Sequence, residues 1–445
     1  MRKQVVPVLV VALACAITAF AAEADVKIGG LQRHAWFGAA VDPPDKRAGA
    51  PVGRVDEGTV AAQAGLRRGD VILRVNGTLL DSPLAYDRAF VALRGGDTAR
   101  LEVLRDGQTF ERTVTLPPMP LQTFPGIDVT YDSVLSENGL RFRTIITKPK
   151  NVTGRLPGLF LAGWLSCDSV EVPVGPKGGI EKLLDILITQ SGFVVMRMDK
   201  PGMGDSEGHC SQADFQTELA GYRAAMRTFK ALDYVDPERI YIFGDSNGAA
   251  YAPLIGNHAG VRGYVVSGGW AKTWLEHMLE LERRRLALMG QSPGDITEKL
   301  RGYSEFYSAY YNQKLTPAEV IHRKPHLAGL WYDAPEHQYG RAAAFYHQLQ
   351  DLNIAGEWSK VSVPTLSIYG EYDWFMSADD HQAFAALVNK NRPGAGRYVM
   401  LPKTNHSFNV YESQEKVFRG EGGKFSETVG PLILEWLREQ NSAGN

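Results

Sequence analysis

Ile240-Tyr241-Ile242-Phe243-Gly244-Asp245-Ser246-Asn247-Gly248-Ala249-Ala250 reads as a buried strand, a G-x-S-x-G turn and the start of a helix of small residues. Four apolar residues without polar alternation suit a strand covered on both faces. Gly244 and Gly248 make room for a sharp strand-to-helix turn. The Ser246 hydroxyl then stands clear at a helix N-terminus, whose dipole favours developing negative charge. A serine hydroxyl is a poor nucleophile near neutral pH, so it needs a base, and the base needs an orienting partner.

Outward from that turn, five further apolar runs read as parallel strands: Leu159 to Ala162, Phe193 to Met198, Tyr264 to Ser267, Thr365 to Tyr369 and Tyr398 to Leu401. Longer amphipathic stretches separate them, the pattern of a mostly parallel sheet covered by helices. The stretch from about 270 to 358 is too long for a simple crossover and shows helical periodicity in Trp274, Leu275, Met278 and Leu279. It is expected to form a helical cap over the C-terminal edge of the sheet, where ligand crevices of such sheets lie. Asp373, in Gly370-Glu371-Tyr372-Asp373, and His406, in Lys403-Thr404-Asn405-His406-Ser407-Phe408, follow the last two strands. They are the candidate acid and base, in the chain order Ser, acid, His. Glu371 and Asp379 compete for the acid, and His381 reads as a surface residue of the helix after Asp373.

On these residues the region from 127 to 440 resembles the α/β-hydrolase family, and within it bacterial secreted esterases and serine-aminopeptidase-like hydrolases. The resemblance implies an α/β-hydrolase fold with Ser246, Asp373 and His406 as its catalytic triad. It also implies hydrolysis of a carboxylic ester through an acyl-enzyme, with no cofactor and no metal. Acyl transfer needs donors for the oxyanion. One is expected from the N–H of Asn247 and the other from Gly163-Trp164-Leu165-Ser166-Cys167, with Trp164 favoured over Leu165. Here the sequence departs from the family, because its usual His-Gly pair is Ala162-Gly163. Asp199-Lys200-Pro201-Gly202-Met203-Gly204-Asp205-Ser206-Glu207-Gly208 resembles the D-x-x-G-x-G-x-S loop of many members and reads as a turn that shapes the cleft. Cys167 and Cys210 lie on loops after neighbouring strands and are predicted to form a disulfide that pins the oxyanion loop. Two alternatives stay open: a peptidase using the same triad, and a non-catalytic periplasmic binding or adaptor protein.

Ahead of this region, Trp36 to Leu116 resembles a PDZ domain of the kind attached to bacterial periplasmic proteases, and the domain is placed at 33–118. Trp36-Phe37-Gly38-Ala39 matches the carboxylate-binding loop. Gly58 to Gly69 leads into Asp70-Val71-Ile72-Leu73 and Val75-Asn76-Gly77. Such a loop offers N–H groups to a peptide C-terminus while the following strand adds the peptide to the sheet edge. Ala39 departs from the larger aliphatic residue usual there. The alternative is a domain that only packs against the enzyme or gates its cleft. Leu116-Pro117-Pro118-Met119-Pro120 reads as a semi-rigid linker between the two parts.

The rest of the composition excludes more than it assigns. The chain has 445 residues, enough for two or three domains, and 44% apolar with 22% charged residues is ordinary for a soluble globular protein. A net charge of −2 gives no reason to expect nucleic acid or anionic lipid, so a small-molecule ester or a peptide is the expected substrate. Arg2 and Lys3, the apolar run from Val5 to Phe20 and Ala19-Phe20-Ala21 read as a signal peptide at 1–22, giving a periplasmic or secreted protein with no membrane span after cleavage. An uncleaved anchor is the alternative, and lipidation at Cys15 lacks its usual neighbours. Tyr303, Phe306, Tyr307, Tyr310 and Tyr311 read as core at helical spacing. Glu280, Glu282, Arg283, Arg284 and Arg285 read as a solvated helix face. His322, His326, His337 and His347 lack the spacing of a metal site.

Overall fold

The computed structural model describes residues 27–44, 47–173 and 177–442, so the predicted signal peptide and Cys15 lie outside the described residues. An eight-stranded sheet organises the larger part of the chain. Its strands are β1 (Ile127–Leu135), β2 (Arg141–Pro149), β3 (Leu156–Ala162), β4 (Val194–Met198), β5 (Val235–Asp245), β6 (Gly263–Ser267), β7 (Thr365–Gly370) and β8 (Gly396–Leu401). Side by side they run β8-β7-β6-β5-β3-β4-β2-β1, and all are parallel except β2, which runs against both neighbours. Successive residues of a strand face opposite sides. Phe160, Met196, Ile242 and Val266 therefore pack into one apolar layer, and Leu159, Val195, Phe243 and Val265 into the other. β4 and β6 are buried at every residue, which is why their sequences do not alternate.

β1 and β2 are additional to the six runs read from the sequence. β1 is an edge strand in which exposed Asp128, Thr130 and Asp132 alternate with more buried Ile127, Val129 and Tyr131, so it lacks the continuous apolar signature. Helices α1 (Gly179–Gln190), α2 (Phe215–Ala231) and α3 (Gly248–Ala259) flank the sheet. Between β6 and β7 lie α4 (Trp274–Leu288), α5 (Pro293–Tyr307), α6 (Pro317–Arg323), α7 (Ala343–Gln350) and a short ribbon of His337–Gln338 with Arg341–Ala342. The five aromatic residues from Tyr303 to Tyr311 are buried in this cap. Among the described residues no helix is long and apolar enough to cross a membrane.

The charged run on α4 is not a solvated face. Glu282 is fully buried, ion-paired with Arg285 at 2.7 Å and accepting from the hydroxyls of Tyr307 (3.0 Å) and Tyr332 (2.8 Å). Arg284 donates to the carbonyls of Trp374 and Phe375, both at 2.8 Å. Of the five residues only Arg283 is exposed.

A second sheet, upstream, joins Ala39–Val41, Ala50–Val55, Val71–Val75, Thr98–Arg105 and Gln108–Thr115 in that spatial order, around a core that includes Phe37, Val52, Ile72, Leu101 and Val103. The Pro-rich segment after it is sewn in place rather than spanning a gap. Trp36 N–H donates to Pro117 O at 2.7 Å, Met119 N–H to His34 O at 2.9 Å, and the Arg33 guanidinium to Met119 O and Pro120 O. Arg33 also crosses to the larger part of the chain, pairing with Glu171 at 2.5 Å and Asp205 at 2.9 Å. Arg143, itself paired with Asp199 and Glu171, joins the same buried cluster. Removing one partner of a buried ion pair strands the other charge. Arg33→Ala is therefore expected to lower unfolding stability by about 3 kcal/mol or more. A urea melt of the variant beside wild type checks this.

Candidate active site

Ser246 sits where β5 turns into α3, with its backbone in the left-handed region at φ 54°. That conformation costs a non-glycine residue free energy and persists only where the surroundings over-determine it. Here Ser246 N–H donates to Ser267 O at 2.8 Å, and the end of β3 presses on α3 so closely that a Cβ at Gly248 would lie 1.9 Å from Ala162 O. Glycine at 248 is what lets the strand and the helix meet.

His406 and Asp373 reach this serine from the loops after β8 and β7. The imidazole Nε2 is 3.1 Å from Ser246 Oγ, and its Nδ1 is 2.7 Å from Asp373 Oδ2. Asp373 is almost fully buried, and its Oδ1 accepts from the N–H groups of Phe375 (2.9 Å) and Met376 (3.1 Å). Burial alone would raise the Asp373 carboxyl. The neighbouring His406 and its hydrogen bond outweigh that and hold it below the ordinary carboxylate range. Burial alone would push the imidazole down, but Asp373 beside it carries His406 above its usual value. Gly268, at φ +55°, passes beneath the ring, where a Cβ would lie 2.6 Å from Cε1 of His406. An alcohol, an imidazole and a carboxylate in this line can deliver an activated oxygen to an acyl carbon.

The competing residues stand elsewhere. Glu371 is exposed and accepts from Lys403 N–H at 2.7 Å, and Asp379 is exposed on the following helix. His381, read as a surface residue, is in fact fully buried, accepting from Gly269 N–H at 3.2 Å and 2.9 Å from Ser367 Oγ. Burial lowers its pKa to about 4, so it is a neutral support for the backbone under His406.

The turn after β3 lies against the same end of α3. Trp164 and Leu165 are half-buried there, and Cys167 is bonded to Cys210. Asp199 and Ser206 of the Gly-rich loop are buried and structural: Asp199 accepts from Val170 N–H at 2.8 Å, and the Ser206 hydroxyl donates to Asp199 O at 3.2 Å. Sequence reasoning did not single out Asp245, whose carboxyl burial raises to about 6 and which accepts from the Ser267 hydroxyl at 2.7 Å. Its place inside the G-x-S-x-G motif was the available signal. Glu218, Tyr222 and Arg341 also cluster beneath the turn, with no sequence motif to mark them, beside Lys200 of the Gly-rich loop.

In the upstream domain, Trp36, Phe37, Gly38 and Ala39 lead into the edge strand, with Gly38 at φ 74°. The groove beside that strand is filled from within. Phe90 packs on Phe37 with ring centroids 5.3 Å apart, and the Tyr86 hydroxyl donates to Val41 O at 2.7 Å.

Comparison with known proteins places both parts. Residues 52–105 match the family model of the PDZ domain. The magnetosome formation protease MamE of Paramagnetospirillum magneticum is 39% identical over 102 residues, 21% of this chain and 14% of that protein. A probable periplasmic serine endoprotease DegP-like of Pseudomonas savastanoi pv. phaseolicola is 34% identical over 105 residues, 21% of this chain and 22% of that protein. The chain thus spans less than a quarter of the length of these curated relatives. Among solved structures, an esterase of Pyrococcus furiosus covers 73% of this chain and 97% of its own, at 13% identity and TM-score 0.43. Est1E from Butyrivibrio proteoclasticus, with ferulic acid bound, covers 69% and 99%, at 16% identity and TM-score 0.45. Residues 180–408, just over half of the chain, match the family model described as serine aminopeptidase, S33. The chain therefore belongs to the S33 serine aminopeptidase family of α/β-hydrolases and carries a PDZ domain ahead of that region.

Proposed function

We propose that this protein is an exported serine hydrolase that cleaves carboxylic esters through an acyl-enzyme. Ser246 attacks the carbonyl carbon, and His406 takes the hydroxyl proton and returns it to the leaving alcohol. Asp373 holds the imidazole in the tautomer that leaves Nε2 free to accept. The N–H groups of Asn247 and Trp164 receive the oxyanion. Water then attacks the acyl-enzyme by the same proton path in reverse. The observation that carries this reading is the unbroken line from Ser246 Oγ to His406 at 3.1 Å and from His406 to Asp373 at 2.7 Å.

A second reading, cleavage of peptide bonds by the same residues, is favoured by the family's description as serine aminopeptidase and by the protease names of the PDZ relatives. In that case the PDZ groove would hold a peptide C-terminus near the cleft, and Tyr86 would have to release Val41 O for a strand to add there. Export is supported by the Ala19-Phe20-Ala21 signal, the Cys167–Cys210 disulfide and the periplasmic name of the relatives. Nitrophenyl acyl esters and peptide nitroanilides assayed in parallel on the mature protein separate the readings. Turnover of the esters, with nitroanilides untouched, is expected, and the reverse result would replace esterase by peptidase.

A further inference from the structure

The turn from Gly163 to Cys167 must present an N–H to a transient oxyanion, and a short loop does so reliably only if its peptide planes cannot rotate. Each peptide unit is rigid, so fixing a C=O fixes the N–H of the next residue. The plane between Ala162 and Gly163 is held because Gly163 N–H donates to Tyr222 Oη at 3.0 Å. The plane between Leu165 and Ser166 is held because Leu165 O accepts from Arg341 Nε at 2.9 Å. The next plane is held because Ser166 O accepts from Lys200 Nζ at 2.7 Å, and the disulfide to Cys210 then fixes Cys167 itself. Two planes remain between these anchors. They carry the N–H groups of Trp164 and Leu165, the two candidate donors.

The anchors come from three different places. Tyr222 and Glu218 lie four residues apart on α2 and so share one face. Lys200 follows β4, and its ammonium also stands 5.1 Å over the Trp164 ring. Arg341 comes from the cap, in the short ribbon before α7. Its side chain is fully buried, lies 4.6 Å over the Phe345 ring, and is paired at 2.6 Å with the equally buried Glu218. Burial works against charge on both cations, and Glu218 is the carboxylate that opposes this most strongly for each. A planar guanidinium gripped by a carboxylate on one edge presents its Nε in one direction only. That direction ends on Leu165 O.

We propose that Arg341, oriented by Glu218, is a positioning residue that sets the oxyanion donors of the 163–167 turn by fixing the peptide plane that follows them. This rests on the reading of Ser246 as nucleophile. Lys200 holds the adjoining carbonyl from the sheet side, so the turn is gripped by one cation from the sheet and one from the cap.

The test compares Arg341→Lys, Arg341→Met and the double variant Arg341→Met with Glu218→Gln, in which neither member of the Arg341–Glu218 pair is left buried without the other, so that a folded protein lacking the Leu165 bond is in hand. Folding is checked by circular dichroism and thermal melting. For a nitrophenyl ester, kcat is expected to fall on the order of 10- to 100-fold in the Met variants, with KM within about twofold, because only the transition state uses the donor. Arg341→Lys should recover part of the loss. Affinity for an alkyl boronic acid, which forms a tetrahedral anion on the serine, should fall in parallel with kcat. A folded double variant with wild-type kcat, or with a changed KM alone, overturns the proposal. Wild-type phosphonate labelling at Ser246 and loss of turnover in Ser246→Ala show separately that the underlying reading holds. If Ser246→Ala keeps turning over, both fail together.

Discussion

A Ser246→Ala protein is expected to turn over a nitrophenyl ester with kcat lowered on the order of 10⁴-fold or more. The substitution deletes one oxygen and leaves the rest of the site intact. His406 keeps its bond to Asp373, and the 163–167 turn keeps its four anchors. KM should therefore change little, because the atoms that contact bound substrate before attack are still there. The fold should hold too, because the strained backbone at φ 54° is held by Ser267 O, Gly244 and Gly248 rather than by the hydroxyl. The rate that survives is what the oxyanion donors and binding supply without a nucleophile. Steady-state kinetics with a thermal melt of the same sample checks both halves. A well-folded variant with undiminished kcat removes Ser246 from the chemistry.

Asp373→Asn should cost on the order of 10⁴-fold in kcat while leaving the site almost unchanged in shape. The wild-type Oδ1 accepts two backbone N–H groups, from Phe375 and Met376. An asparagine must keep its carbonyl oxygen there, which turns its amide nitrogen toward His406 Nδ1. The imidazole then has to accept at Nδ1 and carry its proton on Nε2, facing Ser246, where it can no longer take a proton. The pH dependence gives a second reading of the same residue. Only the neutral imidazole is a base, so kcat/KM rises as pH climbs through the His406 pKa. Burial depresses that pKa and Asp373 more than compensates, placing the wild-type midpoint above the ordinary 6.5. Without the Asp373 carboxylate burial is opposed only by the more weakly acting Asp245, and the limb of the residual activity should move to lower pH. A limb that stays in place would mean that some other group titrates.

Much of the candidate site was legible because its residues sit at punctuation points. Ser246, Asp373 and His406 each follow an apolar run, and a strand end is where a side chain can be aimed across a sheet edge. The six runs themselves stood out because strands covered on both faces have no polar residues to hide them. β1 did not stand out, since one of its faces is wet and its alternation is that of an ordinary edge. Buried polar residues were the other gap. His381 and Glu282 occupy helix positions that look solvated in one dimension, and only the arrival of Ser367 and Gly269, or of Tyr307 and Tyr332, explains them. Arg341 meets Glu218 and Leu165 across more than a hundred residues of chain, a pairing that no local pattern records.

The way the Pro-rich segment is tied down decides where this molecule can be divided. Arg33 lies on the amino-terminal side of the small domain, yet its guanidinium is the counter-charge of Glu171 and Asp205 in the large one. A shortened version starting at Pro120 would discard that cation together with the His34 contacts to Asp205, leaving Arg143 as the arginine still paired with the two carboxylates. The larger domain is thus not a free-standing module wearing an accessory, because Arg33, from ahead of the small domain, supplies part of the charge balance of its buried cluster.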